Sequence, residues 1–294
     1  MEAYDLQKAA PGFGAPGRIF DSHGHYDADA FDADRDAVLQ SLYARGVGRV
    51  LNCGSDLSSS ERSLGLAEQY DWIYAAVGVH PEEIPRDESG AYRLPGASDR
   101  AALEGLAAHP KARGIGEIGL DYYWDTCPPR EIQKAWLAFQ LELAAERGLP
   151  VVIHDREAHG DTLELLQKYR PAGVVHCFSG SPEMAAEVVK LGMYVGLGGA
   201  ATFKNARKAV EVAAMLPADR LLLETDAPYM APAPFRGKRC DSALIAYTAA
   251  RLAEIRGEER DALMARCREN ACRMLGLPDW IPASGGDSSP AANA

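Results

Sequence analysis

The amino-acid sequence predicts a (β/α)8 barrel, the TIM barrel of the α/β class. Short β-rich runs alternate along the chain with segments of helical periodicity, and this alternation implies parallel strands joined by right-handed crossovers. Eight such units fit within the 294 residues, which favours a closed barrel over an open sheet. No G-x-G-x-x-G motif follows the first run, which weakens a dinucleotide-binding open sheet as the alternative.

The predicted strands are short apolar runs. In chain order they read RIFDSH, VGRVLNCG, WIYAAVGVH, ARGIGEIG, PVVIHD, AGVVHCFSG, MYVGLGG and RLLLETDAP. The segment DADRDAVLQSLYARG between the first two runs has one apolar face, formed by Val38, Leu39, Leu42 and Tyr43. Helical periodicity also predicts helices in REIQKAWLAFQLELAAERG and TFKNARKAVEVAAML, and two closing helices in SALIAYTAARLAEIRG and EERDALMARCRENACRMLG.

No linker interrupts this alternation, so one barrel domain is expected over residues 18–280. Residues 1–17 have no basic segment followed by an apolar one and are expected to form a flexible leader rather than a secretory signal. Residues 281–294 are rich in Pro, Gly, Ser and Ala, and we expect a disordered tail there because such a composition has little to bury.

Composition points to the cytoplasm. There is no run of eighteen apolar residues, so no membrane association is expected. The six cysteines contain no C-x-x-C pair and are predicted to be free thiols of a reducing compartment. The net charge of −11 argues against bulk attraction to nucleic acid, but a local cationic site can still bind such a substrate.

The ionisable residues are placed in a pattern. Five of the seven histidines and two carboxylates follow the apolar runs of predicted strands. These residues are His23, His25, His80, Glu117, His154, His176 and Asp226. In a parallel barrel all carboxyl-terminal strand ends open onto one face, where active sites lie. We therefore expect these side chains to meet at one mouth of the barrel.

Imidazole and carboxylate groups together are the ligand set of a divalent metal such as Zn²⁺ or Mn²⁺. His23 and His25 point to the same side of an extended strand, because strand side chains alternate with a period of two. A single His at a strand end is more often a hydrogen-bonded core residue than a ligand. The whole set is harder to explain in that way, since unpaired charges at a half-buried mouth cost several kcal/mol each.

Several blocks of the sequence resemble those of the TatD-type metal-dependent deoxyribonucleases, within the amidohydrolase-like metallohydrolases. The blocks are FDSHGHYD, GVHP, GEIGLDYY, PVVIHDREA, HCFSGS, GLGGAATFKNA and LLLETDAPYMAP, and they run from about residue 18 to residue 240. The resemblance implies a TIM barrel with two divalent metal ions (Mg²⁺, Mn²⁺ or Zn²⁺). It also implies hydrolysis of phosphodiester bonds in DNA, often as a 3′→5′ exonuclease on single strands.

The resemblance also implies roles for individual residues. His23 and His25 match the ligands of the first metal, and Glu117 matches the carboxylate that bridges both metals. His154 and His176 match the ligands of the second metal. Asp226 matches the residue that completes the first site and positions the attacking water, so Asp226 and Glu117 are the expected catalytic residues.

One block departs from the family pattern. Members commonly read close to RGK-x-N-x-P after the eighth strand, whereas this chain reads FRGKRCDSAL. Arg236, Gly237 and Lys238 are retained, and Cys240, Asp241 and Ser242 stand at the altered positions. Asp241 or Ser242 can still cap the following helix.

A phosphodiester substrate also needs cationic groups and stacking surfaces. The candidate substrate contacts are His80, expected to face substrate rather than to bind metal directly, Tyr122 with its neighbour Tyr123 for base stacking, and the cations Arg156, Lys204 at the start of a helix, Arg236 and Lys238. Solvated surface charge and core packing are the plain alternatives for each of these residues.

Two other functions stay open. The same mouth suits a metallohydrolase of cyclic amides, lactones or phosphotriesters, because fold does not settle substrate. A barrel that binds metal without catalysis would lack a ligand or a base, and none is missing from the sequence. The leading expectation is a deoxyribonuclease that takes single-stranded DNA and needs no obligate protein partner.

Overall fold

The computed structural model describes residues 17–279. The predicted leader (except Gly17) and tail lie outside the described residues. Eight strands alternate with helices and form a TIM barrel, as predicted. The strands are β1 (Ile19–Gly24), β2 (Val47–Cys53), β3 (Ile73–Val77), β4 (Ala112–Asp121), β5 (Val151–Arg156), β6 (Gly173–Val175), β7 (Tyr194–Leu197) and β8 (Leu221–Leu223).

Nine α-helices lie within the described part of the chain. They are α1 (Arg35–Ala44), α2 (Leu57–Gln69), α3 (Ala97–Ala107), α4 (Arg130–Arg147), α5 (His159–Tyr169), α6 (Pro182–Lys190), α7 (Arg207–Met215), α8 (Ile245–Arg256) and α9 (Arg260–Met274). Each of the helices α1 to α7 lies between two consecutive strands, and α8 and α9 follow the last strand as the closing pair. None of the helices in residues 17–279 has the length and apolarity needed to cross a bilayer.

All neighbouring strands pair in parallel and in chain order, from β1 to β8. Backbone hydrogen bonds join the two ends of this sheet just past β8. The Asp226 amide donates to the His23 carbonyl at 2.9 Å, and the His25 amide donates to the Ala227 carbonyl at 2.7 Å. The seam between the first and last strands is therefore held at the mouth where the site is expected.

The core has two layers, as expected for a barrel whose strands are buried on both faces. A large apolar cluster lies between strands and helices, with Leu39, Ile73 and Leu137 among its fully buried members. A smaller cluster combines alternate strand residues, such as Phe20 and Leu222, with the end of α9. The carboxyl-terminal end of α9 therefore packs against residues of β1 and β8 in this smaller cluster.

The backbones of β4 and β5 approach each other so closely near the mouth that one position requires glycine. A Cβ atom on Gly119 would lie 1.9 Å from the His154 carbonyl oxygen. Gly119 is also the β4 residue that pairs with His154 in β5. Any side chain here would push the two strands apart, so the contact between β4 and β5 requires glycine at position 119, the second glycine of GEIGLD.

Candidate metal centre

The six side chains predicted as metal ligands lie together at the carboxyl-terminal mouth of the barrel. Glu117 is the centre of this group, and its two oxygens face different imidazoles. Oε2 lies 3.2 Å from His23 Nε2 and 3.4 Å from His25 Nε2. Oε1 lies 2.7 Å from His176 Nε2 and 2.9 Å from His154 Nδ1.

The predicted runs RIFDSH, ARGIGEIG and PVVIHD include His23, Glu117 and His154, and all three residues lie inside strands. β1 includes His23, β4 continues four residues past Glu117, and β5 includes His154. The strands are longer than their apolar runs because backbone ladders do not depend on side-chain polarity. A register shift between Ile115 and Ile118 interrupts the β4–β5 pairing beside Glu117, and such irregularities re-aim side chains near active sites.

Asp226 completes one side of the cluster. Its Oδ1 lies 3.4 Å from His25 Nε2 and 3.7 Å from His23 Nε2. Its backbone has a φ of +63°, a left-handed conformation that is uncommon for a residue with a side chain, although Asp adopts it more readily than most. The hydrogen bond from the Asp226 amide to the His23 carbonyl stabilises this conformation, and strained backbone conformations cluster at functional sites.

The donor set fits divalent cations. Four groups of described side chains each bring their ligand atoms within 4.8 Å of one another, and three of these groups belong to the cluster around Glu117. They are His23 with His176 and Asp226, His23 with His25 and Glu117, and His80 with Glu117 and His154. The Nδ1 atoms of His23 and His176 are buried and have no hydrogen-bond partner among the described residues, which is costly unless something else binds there.

The electrostatics of the cluster favour ionised carboxylates. Burial raises the pKa of Glu117, but the surrounding imidazoles, His176 first, hold the net pKa well below its usual value. Burial also raises the pKa of Asp226, and the hydrogen bond with His25 turns the net shift downward. Burial lowers the pKa of His23 to about 4. Burial also lowers the pKa values of His25, His154 and His176, but their carboxylate neighbours turn the net shifts upward, so a metal ion would have to displace protons from these three rings.

Hydrogen bonds on the far side of the rings orient two of the imidazoles. His25 Nδ1 lies 2.7 Å from the Cys53 carbonyl, which directs Nε2 toward the carboxylates. His154 Nε2 lies 3.1 Å from Asp121 Oδ2 and so leaves Nδ1 facing Glu117. Carboxylate and carbonyl partners of this kind fix the tautomer of histidines that bind metals.

Asp121 was not among the predicted site residues. It is fully buried at the end of β4, and Gln133 Oε1 accepts its backbone amide hydrogen at 2.8 Å. The signal was present in GEIGLD, because Asp121 stands four residues after Glu117 and an even spacing places strand residues on the same face.

The altered block after β8 takes part in a buried network beneath His23. Asp21 accepts hydrogen bonds from the Ser242 hydroxyl at 2.6 Å and from the Thr225 hydroxyl at 2.5 Å. The Tyr26 hydroxyl lies 2.6 Å from Ser242 Oγ. Burial raises the pKa of Asp21 to about 6, although these hydrogen bonds oppose the shift. Ser242 therefore supports the strand that carries His23.

Asp241 caps the short 3-10 turn that leads into α8, as the sequence predicted for this position. Its side chain accepts from the Ala243 amide at 2.9 Å. It also pairs with Arg45 at 2.9 Å. Asp241 and Ser242, two of the three residues at the altered positions, thus have structural partners.

His80 lies beside the cluster, where it was expected to face substrate or to hydrogen-bond a metal ligand. Its Nε2 is 3.4 Å from Glu117 Oε1, and its ring meets the His154 ring edge-on with centroids 4.4 Å apart. His80 Nδ1 accepts from the Glu82 amide at 3.2 Å, which leaves Nε2 as the N–H donor. In this tautomer Nε2 can donate a hydrogen bond to Glu117 or to a substrate, and the predicted substrate contact stays a prediction.

The other candidate substrate contacts are spread around the mouth. Tyr122 is half-buried and donates its hydroxyl to Asp161 at 2.8 Å, so its polar end is already engaged. Arg156 is half-buried at the end of β5. Arg236 and Lys238 are exposed in the loop after β8, and the Arg236 guanidinium lies 4.4 Å from the ring centroid of Phe203.

The sequence analysis was wrong about the position of Lys204 at the start of a helix. A 3-10 helix ends at Thr202 and α7 begins only at Arg207, so Lys204 is an exposed residue of the turn between them. The Ala206 amide donates to the Phe203 carbonyl within that turn. In the sequence, helical periodicity extends through this turn, so the pattern does not locate the start of α7.

Known proteins are similar to this chain over most of its length. Residues 20–276 match the family model described as TatD related DNase. A Bacillus subtilis protein described as the uncharacterized metal-dependent hydrolase YabD is 39% identical over 261 residues, which cover 87% of this chain and 98% of the relative. The 3′-5′ ssDNA/RNA exonuclease TatD of Cronobacter sakazakii is 35% identical over 278 residues, which cover 90% of this chain and 100% of the relative.

A solved structure is similar over the same extent. The crystal structure of YjjV, a TatD homologue from Escherichia coli K12, superimposes with a TM-score of 0.81 at 34% sequence identity. The match covers 89% of this chain and 99% of the other. Sequence and fold therefore agree over nearly the whole described region.

Proposed function

This chain belongs to the TatD-related DNase family of metal-dependent hydrolases, and from that premise we propose that it is a 3′→5′ exonuclease on single-stranded DNA. The observation that carries the proposal is the two-sided position of Glu117. One carboxylate oxygen faces His23 and His25, and the other faces His154 and His176. Such a carboxylate is suited to bridging two cations.

We assign the ligands accordingly. His23, His25 and Asp226 with Glu117 would hold one divalent ion, and His154 and His176 with Glu117 would hold the second. When bound, such ions neutralise charge on phosphate oxygens and lower the pKa of water. Zn²⁺ and Mn²⁺ suit the imidazoles, and Mg²⁺ suits the carboxylates and a phosphate substrate.

The chain's own residues supply the proton chemistry. Asp226 is ionised at neutral pH, and its Oδ1 faces the cluster at the mouth. We assign to it the removal of a proton from the attacking water. The oxygen of that water bonds to phosphorus, the bond from phosphorus to the 3′-oxygen of the preceding nucleotide breaks, and Asp226 passes the proton to that oxygen. The products are a shortened strand with a free 3′-hydroxyl and a nucleotide 5′-phosphate.

The cytoplasm is the proposed compartment. All six cysteines lie within the described residues and are free thiols, as the sequence analysis predicted. Free thiols at this frequency are typical of a reducing compartment.

One assay tests the function directly. The purified protein is stripped with a chelator and supplied with Mg²⁺, Mn²⁺ or Zn²⁺ in turn, and nucleotide release is followed from single-stranded DNA labelled at either end. We expect progressive loss from the 3′ end that a chelator abolishes. A matched panel of RNA, lactones and cyclic amides tests the alternatives, and activity on that panel with none on DNA would refute the proposal.

A further inference from the structure

Two large aromatic side chains are exposed in the loop between β4 and α4. Tyr123 is 51% exposed and Trp124 is 48% exposed, whereas Trp136 is 1% exposed. Contiguous exposed apolar surface marks a binding site, whereas singly scattered exposed residues are normal.

The two rings and one cation form an ordered surface. Tyr123 and Trp124 meet edge to face with centroids 4.6 Å apart. The Arg156 guanidinium lies 3.9 Å from the Tyr123 ring centroid and 5.1 Å from that of Trp124. Within residues 17–279, no carboxylate oxygen lies within 4 Å of the Arg156 guanidinium, although Asp121 is near enough to interact with it electrostatically. We call Tyr123, Trp124 and Arg156 the rim platform.

The rim platform is tied to the candidate metal centre through Asp121. The Tyr123 amide donates to Asp121 Oδ1 at 2.8 Å, and Asp121 Oδ2 lies 3.1 Å from His154 Nε2. Arg156 is the β5 residue that pairs with Asp121, and its carbonyl accepts from the Tyr122 amide at 2.9 Å. The Asp121 carboxylate therefore connects the backbone of the rim platform to the candidate ligand His154.

We propose that the rim platform binds an unstacked base and an adjacent phosphate of a single-stranded nucleic acid substrate. This inference rests on the proposed function and adds a subsite to it. Aromatic faces stack on any base, and an arginine without a carboxylate partner is suited to a phosphate. Bases within a duplex already stack on each other, so the platform selects single strands.

Binding to a hydrolysis-resistant oligonucleotide tests the platform. A fluorescent single strand with phosphorothioate linkages at its 3′ end is titrated with the metal-loaded enzyme, and anisotropy is measured. Trp124→Leu keeps an apolar side chain but removes the ring, and Trp124→Phe keeps a stacking face. We expect Trp124→Leu to weaken binding roughly 5- to 150-fold, which corresponds to ~1–3 kcal/mol of stacking, and Trp124→Phe to retain most of the affinity.

An oligonucleotide that lacks the bases of its 3′-terminal nucleotides isolates stacking from other contacts. The wild type and Trp124→Leu should bind this strand equally. Met215→Ala is the control, because Met215 is an exposed apolar residue that ends α7 before β8 begins, far from the carboxyl-terminal mouth. It should bind both strands as the wild type does.

The outcomes separate this inference from the proposed function. Equal binding of the complete strand by the wild type and Trp124→Leu would overturn the platform even if the enzyme degrades DNA. An equal loss on the abasic strand would overturn it as well, because that loss would not come from stacking. A protein that neither binds nor cleaves any polynucleotide would overturn both proposals.

Discussion

Replacing Asp121 with asparagine should weaken one of two metal-binding events. The carboxylate uses both oxygens, since Oδ1 accepts from the Tyr123 amide and Oδ2 lies opposite His154 Nε2. Asparagine has only one oxygen. If that oxygen keeps the Tyr123 amide, the NH₂ group faces Nε2 and forces the His154 proton onto Nδ1, the nitrogen that faces Glu117.

The size of the effect follows from the hydrogen bonds involved. A hydrogen bond to a charged partner contributes ~1.5–3 kcal/mol and a neutral one ~0.5–1.5 kcal/mol. Loss of the charge alone therefore costs about 1–1.5 kcal/mol, or roughly 5- to 15-fold in affinity. The inverted tautomer adds to this cost, and substitutions of such orienting groups lower metal affinity by up to about 100-fold.

Calorimetric titration of the chelator-stripped protein measures the effect without any need for activity. The wild type should bind two Zn²⁺ or Mn²⁺ ions, and Asp121→Asn should bind one of them roughly 5- to 100-fold more weakly. Asp155→Asn is the matched control, because Asp155 is a buried carboxylate of the neighbouring strand β5 that bonds His159 at 2.6 Å, outside the cluster. Two unchanged affinities in Asp121→Asn would refute the orienting role.

Three further predictions concern single side chains. Asp226→Asn should lower kcat by about 10²- to 10⁴-fold while it binds the hydrolysis-resistant strand normally; near-normal turnover at saturating metal would remove Asp226 as the base. Ser242→Ala should lower the free energy of unfolding by ~1–3 kcal/mol in urea titrations, since Asp21 loses a buried donor, and an unchanged unfolding midpoint would contradict this. Arg93→Met should destabilise the protein at pH 7, because burial raises the pKa of Asp99 but Arg93 and the Gly96 amide turn the net shift downward. That deficit should disappear as the pH falls through the folded-state pKa, which lies below the usual value of about 4, and a deficit that persists at pH 2 would exclude the ion pair as its source.

The sequence predicted the barrel and the residues that meet at its mouth because both depend on strand order. A parallel barrel brings all carboxyl-terminal strand ends together, so His23 and His176 could be placed near each other although 153 positions separate them. The structure confirms the fold and shows these two rings stacked at 3.8 Å between centroids.

Other features could not be read from periodicity. The part that Asp121 plays depends on which nitrogen of His154 faces the cluster, and this is set by side-chain rotation rather than by spacing. Tyr122 and Tyr123 both follow Asp121, yet Tyr123 is exposed whereas Tyr122 is half-buried and donates its hydroxyl to Asp161. The chain leaves the sheet at that point, so strand alternation does not predict which of the two is exposed. Lys204 was misplaced for a similar reason, since a turn interrupts the helical pattern.

The seam of the barrel makes the enzyme's competence depend on late synthesis. His23 precedes its hydrogen-bonded partner Asp226 by 203 positions, so it is synthesised well before Asp226. A nascent chain that stalls before β8 has neither the closing strand nor the acid that lies beside the paired histidines. Such a chain therefore lacks both a candidate metal ligand and the proposed base, and the candidate metal centre can be completed only after β8 has been synthesised.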